Sequence, residues 1–191
     1  MPLYYERLLG GNLMIYLFLA EGFEEVEALT PLDFIRRAGL QIQTVGLSSK
    51  CVTGAHNIQV LTDCLPEEVQ EDDIQMLILP GGMPGTRYLK ESIQLQEMLQ
   101  RAVKQKVPIA SICAAPSVLG EKGYLQGMTA TCYPGFEESL FGATFVDKKV
   151  VVDLPFITAR GAGCAMEFAF AIIKTLISED KAKEIAEQVC Y

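Results

Sequence analysis

With 191 residues, half of them hydrophobic and 21% charged, the chain can build one sizeable core and is too apolar for a disordered segment. A formal charge of −8, with no basic cluster beyond Arg36-Arg37 and Lys148-Lys149, argues against nucleic acid and anionic membrane as partners. No apolar run approaches the ~20 residues needed to span a bilayer. The six cysteines form no CxxC pair and there is one histidine, so a zinc site is not expected. Scattered cysteines in a chain of this length point to reduced thiols in the cytoplasm. The opening MPLYYERLLGGNL lacks the basic-then-apolar pattern of a signal peptide. Residues 1–13 read as an upstream extension, with Met14 the natural start and a single domain over 14–191.

Met14 to Leu19 is a continuous apolar run, the pattern of a strand covered on both faces. Glu24 to Ala38 has helical spacing and is closed by Gly39, although Pro31 inside it predicts a kink or break. Leu40 to Leu47 reads as a second strand, and Cys51 to Leu61 as a hairpin or small excursion. Ile74 to Leu79 is another apolar strand, ending in Pro80-Gly81-Gly82. A helix is expected over Tyr88 to Lys104. The strand Pro108 to Ile112 follows, and runs into Cys113 and a helix ending at Gly120. Met128 to Cys132 reads as a short strand, and Pro134 to Phe141 as a short helix. Thr144-Phe145 and Val150 to Val152 suggest a hairpin about the turn 146–149. Phe156 to Ala159 is the last strand, with helices over Cys164 to Ile177 and Lys181 to Val189. Strands alternating with helices imply a mostly parallel sheet with helices on both faces. Such sheets bind ligands at the carboxyl ends of their strands.

Three special stretches lie at such ends. Cys113 stands between small residues, as a nucleophile on a sharp strand-to-helix turn requires. Helix amides behind that turn favour thiolate over thiol. Taken alone, the position also fits a buried structural cysteine. The sole histidine, His56, lies well upstream, so a triad with histidine after the nucleophile is excluded. A carboxyl group, backbone amides or an arginine must then set the thiol's protonation. In AEGFEEVEAL, Glu27 lies in phase with the helix face that leads back to the sheet. Buried beside a thiolate, its pKa rises, and it can donate a hydrogen bond and shuttle a proton. Acidic residues in a first helical turn are also ordinary dipole compensation. The Gly81-Gly82 turn and the Ala114 amide can hold an oxyanion. Arg160, in ARGAG, fits either a carboxylate site or a structural loop contact. Cys51, Cys64, Cys164 and Cys190 read as structural.

AEGFEEVEAL, RRAG, ILPGGMPG, IASICAAPSVL and TARGAG with its following EFAFAII helix, in that order, resemble the DJ-1/PfpI superfamily, most closely its DJ-1/ThiJ/YajL branch. The resemblance runs from about Met14 to Val189. It implies a flavodoxin-like α/β three-layer sandwich and a homodimer. It places the nucleophile on Cys113, the buried glutamate on Glu27, and the oxyanion donors on Gly82 and the Ala114 amide. Oxidation of that cysteine to sulfinic acid is a family property that fits a low-pKa thiolate. Two departures matter. Where many members carry a histidine before a proline, this chain has Tyr133 before Pro134, and tyrosine is a poor base near neutral pH. The protease-like branch places histidine directly after the cysteine. Here Ala114 stands there, which argues against a peptidase. His56 aligns where relatives carry a basic residue near the dimer interface.

The resemblance implies a cofactor- and metal-independent glyoxalase or deglycase acting on methylglyoxal, glyoxal or their adducts. Cys113 forms a hemithioacetal in that scheme and Glu27 moves the protons. The alternative is a redox-sensing, chaperone-like stress protein working through oxidation of Cys113. A thiamin-biosynthesis role, under which ThiJ-like sequences are catalogued, finds no phosphate-binding loop here.

Overall fold

A computed structural model describes residues 13–191. The expected extension at 1–13 falls, but for its last residue, outside the described residues. Among the described residues ten strands are formed: β1 (Met14–Leu19), β2 (Ile42–Gly46), β3 (Cys51–Thr53), β4 (Gln59–Leu61), β5 (Ile74–Leu79), β6 (Ile109–Ile112), β7 (Thr129–Ala130), β8 (Thr144–Phe145), β9 (Val150–Asp153) and β10 (Phe156–Ala159). Six helices accompany them: α1 (Glu25–Arg37), α2 (Gly85–Glu91), α3 (Ile93–Gln105), α4 (Pro116–Gly120), α5 (Ala165–Leu176) and α6 (Glu179–Gln188).

The central sheet has the order β2-β1-β5-β6-β10-β9. All of its pairings are parallel except β9 on β10. Successive side chains of a strand point to opposite faces, and both faces of this sheet are covered. On one side Tyr16, Phe18, Leu77, Leu79 and Ile109 pack beneath α2, α3 and α4. On the other, Ile15, Leu17, Ile78, Ala110, Ile112 and Ile157 pack beneath α1, α5 and α6. This double cover explains why the strand sequences are continuously apolar rather than alternating. The architecture is the flavodoxin-like α/β sandwich. Among the described residues no helix is long and apolar enough to cross a membrane.

Four local expectations are corrected. Helix α1 runs through Pro31 without a break. The proline removes one intrahelical hydrogen bond, yet its buried neighbours Ala28, Phe34 and Ile35 hold the helix on the sheet. The single helix expected over Tyr88 to Lys104 is two helices. Ser92 turns extended between them, and its hydroxyl caps α3 by accepting the Leu95 N–H at 3.3 Å. Pro134 to Phe141 contains only a 3₁₀ turn, Glu137–Ser139. Strand β8 does not form a hairpin with β9. It pairs in parallel with β7, while β9 turns back on β10.

Candidate active site

β6 ends at Ile112, and the next residue, Cys113, has φ +64°. A non-glycine residue held there carries roughly 1–3 kcal/mol of backbone strain and persists only where its surroundings fix it. Two backbone hydrogen bonds do so. The Cys113 N–H donates to the Ala159 carbonyl at 2.9 Å, and its own carbonyl accepts the Tyr133 N–H at 2.8 Å. The turn is thus clamped between β10 and the segment after β7. It lifts the side chain out of the sheet on the face that α1 covers.

α1 brings Glu27 to the same place from above. Glu27 sits in its first turn and is fully buried. The Gly81 N–H donates to Glu27 Oε2 at 2.8 Å. The contact depends on residue 81 having no side chain. A Cβ there would lie 2.6 Å from Cys113 Cβ, 2.7 Å from Glu27 Oε2 and 3.1 Å from the sulfur. Gly82 follows at φ +90°, and its backbone presses on the turn before α1, where a Cβ would stand 2.4 Å from the Glu24 nitrogen. Gly81 therefore seats the carboxyl against the thiol, while the Gly82 and Ala114 amides both bond to the Cys113 sulfur.

The protonation of the pair follows from this burial. Removal from water pushes Glu27 up to about 7, against the opposing pull of the Cys113 thiol and the Gly81 amide. Burial, then the charge and hydrogen bond of Glu27, push Cys113 up to about 12. The Ala114 and Gly82 amides pull it down and are outweighed. This corrects the expectation of a thiolate favoured by its own helix. α4 has only five residues and starts at Pro116, so its dipole is slight. The pair releases one proton near neutrality and keeps the second to far higher pH, as coupled sites do. In the one-proton state a thiolate arises when the proton sits on Glu27. Glu27 Oε1 is buried and has no conventional hydrogen-bond partner. A proton there, shared with the sulfur, satisfies it.

The remaining candidates are placed as follows. His56 lies on the β3–β4 hairpin, and its Nδ1 donates to Glu25 Oε2 at 2.9 Å, with Glu24 at 3.6 Å. Glu25 Oε1 also accepts the His56 N–H at 2.8 Å and the Ile58 N–H at 3.4 Å. Burial raises Glu25, but these bonds outweigh it and hold the carboxyl low. The Glu25 bond raises His56 in turn. Glu24, Glu25 and His56 bring one ligand atom each within 4.8 Å of one another. Both Glu25 oxygens are already engaged, so this set fastens the hairpin to the start of α1. Arg160 pairs with Asp147, and its N–H donates to the Lys149 carbonyl at 3.0 Å. It is thereby tied to the loop 146–149. Tyr133 is half-exposed beside the clamped turn. Sequence reasoning missed the role of Gly81 in seating Glu27. The doubled glycine of PGG was the available signal, since one glycine suffices for a turn. All six cysteines are free thiols.

The class is set by these features: an α/β sandwich whose strand-to-helix elbow presses a cysteine against a buried glutamate. The DJ-1/PfpI family model matches residues 14–175, and the chain belongs to that family. It is 36% identical to protein dj-1beta of Drosophila melanogaster over 172 residues, covering 88% of this chain and 92% of the relative. It is 31% identical to the glutathione-independent glyoxalase DJR-1.2 of Caenorhabditis elegans, covering 89% and 91%. The oxidized DJ-1 of Toxoplasma gondii superposes with a TM-score of 0.89 at 32% identity, covering 94% of this chain and 98% of that one. Two Arabidopsis thaliana relatives are longer, and the chain spans 39% and 44% of their lengths.

The raised Glu27 predicts a pH-dependent stability. The folded state holds this proton up to about 7, against 4.5 for a free side chain. Between those values the folded chain binds more protons than the unfolded one, so stability falls as pH rises, by up to about 3 kcal/mol. Unfolding free energies of Glu27→Gln should lack this fall. Equal slopes for wild type and variant between pH 5 and 8 contradict the burial of an ionising Glu27.

Proposed function

We propose that the chain is a cysteine-dependent, cofactor-independent glyoxalase or deglycase-type enzyme acting on methylglyoxal, glyoxal or their adducts. The proton-sharing contact of Cys113 with Glu27 carries this reading. With the proton on Glu27, the Cys113 thiolate attacks the aldehyde carbon and an S–C bond forms. Glu27 passes its proton to the new alkoxide, giving a hemithioacetal, and the Gly82 and Ala114 amides line the path of the oxygen. The carboxylate of Glu27 then removes the proton from the former aldehyde carbon. The resulting enediol is reprotonated at the neighbouring carbon to leave a thioester. Water cleaves it to lactate and returns the thiol. No oxidant is consumed, because the aldehyde is oxidised as the ketone is reduced. The Caenorhabditis elegans relative bears a glyoxalase name, and six free thiols suit a reducing cytoplasm.

A second reading is redox sensing. Cys113 remains partly exposed, and the Toxoplasma gondii protein is described as oxidized. Peroxide converts a thiol to sulfenic acid with release of water. The two readings separate on one experiment. Lactate formation from methylglyoxal should fall at least a thousandfold in Cys113→Ser. Wild-type turnover in that variant defeats the enzyme reading. Negligible turnover by wild type, with selective peroxide oxidation of Cys113 seen by intact-mass spectrometry, favours the sensor.

We also propose a homodimer through the hairpin face. Val26, Ile58 and Met83 are 49%, 52% and 57% exposed. The Ile58 amide bonds to Glu25, the residue before Val26, so the hairpin lies against the start of α1. His56 stands on this face and comes near the partner's site in such a dimer. Val26→Glu should convert a dimer to a monomer in sedimentation velocity. A variant that sediments like wild type contradicts this face as the interface.

A further inference from the structure

Tyr133 is tied to the elbow through its backbone. Its N–H is fixed on the Cys113 carbonyl at 2.8 Å. Its ring lies against Gly161, where a Cβ would come within 3.2 Å of Cδ2 and 3.7 Å of Cε2. Gly161 follows two residues after Ala159, whose carbonyl takes the Cys113 N–H. One edge of the ring is therefore backed by bare backbone, while 49% of the residue stays open, on a backbone bonded directly to that of the nucleophile. Arg160, the residue before Gly161, is already paired with Asp147, so it offers little net charge to a substrate. A half-open ring backed along one edge gives stacking and dispersion to a flat aryl group and less to a methyl group.

We propose that Tyr133 is an aromatic wall that favours aryl carbonyl electrophiles at Cys113. On the aldehyde reading, on which its substrate class rests, the preferred substrates are aryl 2-oxoaldehydes such as phenylglyoxal, which isomerises with water to mandelate. The ring acts here, and the hydroxyl does not.

Two ratios test this in wild type, Tyr133→Phe and Tyr133→Ala. The first is kcat/KM for phenylglyoxal over methylglyoxal. The second is the rate of Cys113 alkylation by phenacyl bromide over iodoacetamide, where an S–C bond forms and halide leaves without any turnover. Both ratios should stay within about twofold in Tyr133→Phe and fall roughly threefold to tenfold in Tyr133→Ala. Ratios unchanged in Tyr133→Ala overturn the wall, and so does an equal fall in Tyr133→Phe, which assigns the effect to the hydroxyl. If wild type turns over neither aldehyde, the enzyme reading fails and the alkylation ratio alone decides. Its fall in Tyr133→Ala sustains the wall, and its constancy removes it.

Discussion

The contact between the Cys113 thiol and the Glu27 carboxyl is possible only because residue 81 has no side chain. A Cβ there would overlap both partners, at 2.6 Å from Cys113 Cβ and 2.7 Å from Glu27 Oε2. Three elements distant in sequence must meet for the contact to exist: the start of α1, the end of β5 and the elbow after β6. The parallel sheet supplies this meeting, because the carboxyl ends of neighbouring strands share one edge. The hydrogen bond from the Gly81 amide to Glu27 then fixes the carboxyl's height above the sheet.

Burying a carboxyl and a thiol together is unfavourable for either charge, and that opposition gives the pair its character. Neither group holds its ordinary proton affinity: burial raises both, Glu27 raises Cys113 further, and the thiol's hydrogen bond draws Glu27 partly back. A cysteine activated by a histidine releases its proton to a base that is readily charged. Here the base is an acid whose own affinity has been lifted into the neutral range. The amides of Gly82 and Ala114 do not make a thiolate by themselves. They lower the cost of one when the proton moves across to Glu27. The strained φ of Cys113 serves the same end, since it holds the sulfur toward α1 rather than within the sheet.

Much of this was legible in the sequence, for identifiable reasons. The apolar strand runs marked the sheet, and Cys113 among small residues marked the elbow. The phase of Glu27 on α1 marked it as the inward-facing carboxylate of AEGFEEVEAL. What could not be read were effects decided by packing between distant segments. The balance of burial against amides at Cys113 reversed the expected direction of its shift. The parallel pairing of β8 with β7 follows from long-range hydrogen bonds, such as Thr144 N–H to the Met128 carbonyl, which two short apolar stretches do not encode. Pro31 signalled a break that burial of its helix face overrode. Ser92 signalled nothing by composition, yet its cap divides two helices. Arg160 in ARGAG was compatible with an anion site as well as a structural contact, and its pairing with Asp147 makes it structural.

The most direct test of the shared proton is the pH dependence of Cys113 alkylation by iodoacetamide in wild type and Glu27→Gln. Wild-type reactivity should rise in a step near pH 7, where the pair loses its first proton, and again at far higher pH. In Glu27→Gln the neutral step should vanish and a single alkaline rise remain. Superimposable profiles, or a wild type without the neutral step, would contradict a proton held in common by Cys113 and Glu27.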